Sequence, residues 1–81
     1  MVKFKIIGRD NFIFINPNFI ILISDVYARH AEAYNLDSEV YYHFDVKVST
    51  IDDFYMSESF DTKEEALAYR DEFVKLIEES K

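Results

Sequence analysis

The 81-residue chain has no cysteine and no tryptophan, and only one glycine and one proline. Without cysteine there can be no disulfide, thiol chemistry or cysteine-based metal framework, and the composition matches a reducing compartment. The single Gly8 excludes glycine-rich phosphate-binding loops. No serine stands in a nucleophile-elbow sequence. The N-terminal MVKFKIIGRD is too polar for a signal-peptide core of ~7–15 apolar residues. The longest uncharged stretch, residues 11–24, is broken at Asn16-Pro17-Asn18, so neither half approaches the ~20 residues a membrane-spanning helix needs. The expected location is cytoplasmic, with no membrane partner and no cofactor.

Positive charge is also scarce. Nine Lys and Arg face sixteen Asp and Glu, for a net charge of −7. The imbalance lies in residues 31–81, which carry −9, while residues 1–30 carry +2. Nucleic-acid affinity rests on neutralising phosphates, so this balance argues against direct nucleic-acid binding.

Apolar residues make up 49% of the chain and aromatics 17%, enough for one small core and too much for disorder. Residues 1–81 are read as a single α+β domain. Residues 2–7 alternate Val2, Phe4 and Ile6 with Lys3 and Lys5, the pattern of a half-buried strand. Gly8-Arg9-Asp10-Asn11 supplies a turn, residues 12–15 a second strand, Asn16-Pro17-Asn18 another turn, and residues 19–24 a third strand. These three strands are expected to form an antiparallel meander.

Segment 25–35 reads as a short helix capped by Ser24 or Asp25, because Ala28, Ala31 and Ala33 favour helix over strand. The alternative is a continuation of the third strand. Residues 40–48 alternate strictly, with Val40, Tyr42, Phe44, Val46 and Val48 inward and Tyr41, His43, Asp45 and Lys47 outward. Residues 54–60 return as the hairpin partner. A capping box, Thr62 with Glu65, opens a C-terminal amphipathic helix whose apolar stripe contains Ala66, Leu67, Tyr69, Phe73, Val74, Leu76 and Ile77. The expected architecture is a mostly antiparallel sheet of about five strands, with this helix on one face and the short middle helix added.

Candidate chemistry is sparse. His43 and Asp45 share a strand face, which could begin a metal site, but no third ligand stands near them and none is expected. Paired acids such as Glu64-Glu65 and Asp71-Glu72 are helix neighbours ~100° apart, so they form a solvated face rather than an acid–base pair. The chain is therefore read as non-catalytic. Arg70 falls within the helical stripe, and Glu58 falls on the inward side of the last strand if Phe54, Met56 and Phe60 face the core. A structural Glu58–Arg70 pair follows from that reading, with Arg70 reaching past the rim as the alternative.

The feature with functional content is FIFI-NPN-FIILI. Both of its parities are apolar: Phe12, Phe14, Phe19, Ile21 and Ile23 on one, Ile13, Ile15, Ile20 and Leu22 on the other. Two helices could cover both faces. The C-terminal helix must also cover the hairpin, however, and the middle segment offers only a narrow stripe. Phe12, Phe14, Phe19, Ile21 and Ile23 are therefore read as an interface. The expected function is that of a small acidic protein–protein interaction module, a homodimer or accessory subunit. The second expectation is an acidic inhibitor that imitates nucleic-acid charge toward a nucleic-acid-binding or -processing protein, through Glu64, Glu65, Asp71 and Glu72.

Overall fold

The computed structural model describes residues 1–30 and 39–80. Among these residues it places seven antiparallel strands in three small sheets, with one C-terminal helix. β1 (Val2–Lys5) pairs with β2 (Phe12–Ile15). The turn between them uses Gly8 at φ 76°, a left-handed conformation that side chains disfavour. β3 (Ile20–Ile23), β6 (Asp45–Val48) and β7 (Phe54–Met56) form a three-stranded sheet in that order, and β4 (Tyr27–His30) pairs with β5 (Val40–His43).

Backbone hydrogen bonds join these pieces. Ile6 bridges to Ser57, Glu58 N donates to the Lys5 carbonyl, and Tyr42 and Phe60 exchange both of their bonds. Through these links β1 lies beside the strand that continues from β7. The connected order is β2, β1, β7, β6, β3, with β4–β5 as an extension.

Helix α1 (Lys63–Ser80) starts where the capping box requires: Glu65 N donates to Thr62 Oγ1 at 3.2 Å. Its buried residues are Ala66, Phe73 and Ile77. Phe73 packs on Phe4 at 5.1 Å and Phe44 at 6.1 Å between ring centroids, and Tyr69 meets Phe44 and Phe60. Val2, Ile15, Val46 and Val48 complete the core. Leu67 and Leu76, assigned to the stripe from sequence, flank it and remain exposed.

Two elements depart from the expected architecture. β2 does not pair with β3, so the three-strand meander does not form. Asn16 accepts a hydrogen bond from Asn18 N and opens a single 3-10 turn at Pro17–Phe19, which carries the chain across to β6. The middle helix is also replaced within the described residues. Residues 25 and 26 form no helix, residues 27–30 are strand, paired from Tyr27↔His43 to His30↔Val40, and residues 31–35 of that assignment lie outside the described residues. A β-branched and aromatic partner strand outweighs the helix preference of Ala28.

Candidate interaction surface

The parity of β3 is set by a β-bulge. Ile20 stands opposite Val48 and Leu22 opposite Lys47, so two steps on β3 match one step on β6 and Ile21 is the extra residue. Ile20 and Ile23 consequently both pack against the core, while Ile21 and Leu22 both turn outward. Strict alternation placed Ile21 and Ile23 together and Leu22 opposite. Ile23 is half-buried against the core, and Leu22 is exposed.

Phe12 is 46% exposed, Phe14 62%, Phe19 45%, Ile21 63% and Leu22 49%. On β1–β2, Lys3 stands opposite Phe14 and Lys5 opposite Phe12, and the Lys3 ammonium lies 5.1 Å from the centroid of the Phe12 ring. Phe14 and Phe19 border a depression of about 310 Å³ whose floor includes Ile15 and Val48. Ile21 and Leu22 border a second one with Val74 and Ile77 of α1. Glu64, Glu65, Asp71 and Glu72 are all exposed on the helix.

Arg70 finds a partner other than Glu58. Its Nε donates to the Ser24 carbonyl at 2.7 Å and Nη2 to the Ile23 carbonyl at 3.5 Å. The proposed Glu58–Arg70 pair fails because the last strand has the opposite parity. Val46 stands opposite Tyr55 and Phe44 exchanges bonds with Ser57, so Tyr55 and Ser57 face the core, while Phe54 is exposed; of the expected inward set, Phe60 does pack against the core. Ser24 frees its carbonyl for Arg70 by accepting the Asp45 N–H with its side-chain Oγ, at 2.7 Å.

Sequence reasoning missed a buried polar cluster beside this bend. His43, expected on the solvated face, is fully buried, as is Ser57. Arg29 Nε donates to His43 Nε2 at 3.3 Å, so Nε2 is the accepting nitrogen, and Nδ1 then carries the proton donated to the Ser57 carbonyl at 3.0 Å. The Ser57 hydroxyl accepts from Phe44 N and donates to the Glu58 carbonyl. These bonds hold the hydroxyl between backbone groups and leave the histidine no role as its base, so the cluster ties strands together and has no nucleophile–base geometry. A small polar residue opposite Phe44 was the available signal, and it pointed to no particular partner. Among the described residues, no group of three His, Asp or Glu side chains is placed to hold a metal ion.

Tyr27 donates to Asp45 Oδ1 at 2.8 Å. Burial first, then the Asp45 hydrogen bond and charge, push its phenol from 10.0 up to about 12. The folded chain thus holds this proton more tightly than the unfolded chain. The resulting stabilisation is present below pH 10.0 and is lost as pH rises toward about 12. Burial raises Tyr69 as well, so the alkaline loss has more than one source. Urea titrations at increasing alkaline pH should show a shallower decline for Tyr27→Phe than for the parent, and identical slopes would remove Tyr27 from this role.

Among the described residues, no helix is long and apolar enough to cross a membrane. Comparison with known protein families, curated proteins and solved structures finds no match to this chain.

Proposed function

We propose that this chain is a non-catalytic protein–protein interaction module that associates with itself through an apolar surface of Phe12, Phe14, Phe19, Ile21 and Leu22. The observation behind this reading is the exposure of five large apolar side chains within eleven consecutive residues. Full burial of one such side chain stabilises by ~1.5–3 kcal/mol, so covering the remaining half of each is worth about 1 kcal/mol. Uncovered patches of this kind invite uncontrolled association, and a second copy covers two of them at once. The proposed partners are proteins, with neither nucleic acid nor membrane in direct contact. Sedimentation from micromolar to millimolar concentration tests this reading: a dimer that dissociates on dilution supports it, and a monomer throughout removes it.

A second reading draws on the exposure of all four carboxylates Glu64, Glu65, Asp71 and Glu72 along one helix, in a chain of net charge −7. An acidic face of this kind can occupy a basic nucleic-acid groove on another protein. Binding of that type weakens steeply with salt and disappears on charge reversal at these four positions. Binding that persists after the reversal excludes mimicry.

A further inference from the structure

Among the described residues the connected sheet is bounded by β2 on one side and by β3, followed by β4, on the other, and β2 and β3 differ in how they are guarded. β3 carries the Ile21 bulge, and Arg70 occupies the carbonyls of Ile23 and Ser24 at its end. Bulges and edge-capping charges are among the means by which outer strands resist the addition of another strand. β2 has neither. Its four residues pair with β1 without a register shift, it contains no charge and no proline, and no described strand lies on its other side.

We propose that β2 pairs antiparallel with β2 of a second copy, with Ile13 opposite Ile13 and Phe12 opposite Phe14. This rests on the self-association proposed above and assigns its contact. An outer strand with free N–H and C=O groups is satisfied by another extended strand. Phe-Ile-Phe-Ile is complementary to itself. A two-fold axis normal to the sheet keeps each face on its own side, so residues that oppose each other must share parity. Centring on Ile13 matches two Phe–Phe pairs on the exposed face and an Ile–Ile pair on the inner one. Centring on Phe14 instead leaves a single Phe–Phe pair and sets Phe12 against Asn16, where centring on Ile13 sets Ile15 against Asn11. Aromatic cross-strand pairs favour the first register, and the absence of charge on β2 removes repulsion across the contact.

Because the parent has no cysteine, single-cysteine variants report this register cleanly. Directly opposed Cα atoms lie ~4.5–5.5 Å apart, within disulfide range, whereas residues offset by two positions lie ~7–8 Å apart. Oxidising an equimolar mixture of Phe12→Cys and Phe14→Cys chains should give the mixed disulfide in several-fold excess over either homodimer. A dominant Phe14→Cys homodimer, or a statistical mixture, overturns the proposed register. Phe14→Lys should weaken the dimer by tenfold or more, with circular dichroism confirming its fold. Undiminished association of Phe14→Lys, with association lost instead in Ile21→Lys, moves the contact to β3, overturning this proposal while self-association stands. A parent that is monomeric throughout overturns both.

Discussion

Phe44→Ala is expected to destabilise the protein by about 3–5 kcal/mol, the usual cost of removing a buried aromatic ring. Phe44 has no exposed surface and joins β5 to β6. Its ring meets Phe4 edge-on at 5.7 Å, Tyr69 at 5.8 Å and Phe73 at 6.1 Å, so it links the first strand to two aromatic side chains of the helix, one buried and one half-buried. Its backbone exchanges bonds with Ser57: the N–H goes to Ser57 Oγ and the carbonyl accepts Ser57 N. Truncation opens a cavity where sheet and helix pack together, and the backbone bonds on either side limit how far the chain can collapse into it. A domain of this size has a stability near the lower end of ~5–15 kcal/mol, so the variant should be largely unfolded in mild urea. Urea denaturation followed by circular dichroism measures the effect. A loss below about 1 kcal/mol would mean that Phe44 is not the hub of the core.

Arg70→Leu is expected to cost about 2 kcal/mol, in the range for hydrogen bonds that involve a charged group. The guanidinium is held between α1 and the end of β3, and leucine leaves the half-buried Ser24 carbonyl without that donor. Lysine should restore little, since one ammonium cannot reproduce the guanidinium's separated donors to two carbonyls. Glu58→Gln, by contrast, should change stability by less than about 0.5 kcal/mol. Equal losses in the two variants would revive the ion pair and contradict the contacts made by Arg70. Loss of the Arg70 bonds also frees the β3 carbonyls, so Arg70→Leu should increase association at high concentration.

The parts of this fold legible in the sequence are those set by near neighbours. The Thr62–Glu65 cap is a local exchange of hydrogen bonds, and Val2–Lys5 shows its buried face by simple alternation. The hairpin of β6 with β7 follows from two strand patterns separated by a short turn. What could not be read depended on distant partners. Ile21 looks like any other member of an apolar run until Val48 and Lys47 fix the register of β3. His43 alternates with Phe44 and so reads as solvated, although Arg29, fourteen residues away, and Ser57 enclose it. The inward side of residues 54–60 was likewise undetermined until Phe44 and Val46 selected Ser57 and Tyr55. Of the candidate surface, Phe12, Phe14, Phe19 and Ile21 were legible because apolar residues on both parities exceed what one helix can cover. The exchange of Ile23 for Leu22 was not, because a single bulge decides it.

Sedimentation equilibrium of the unmodified protein from micromolar to millimolar concentration tests self-association most directly. The predicted result is a weight-average mass rising from that of one chain, 9.7 kDa, to twice that value, with the rise lost in Phe14→Lys. A mass that stays at one chain across the whole range would contradict it.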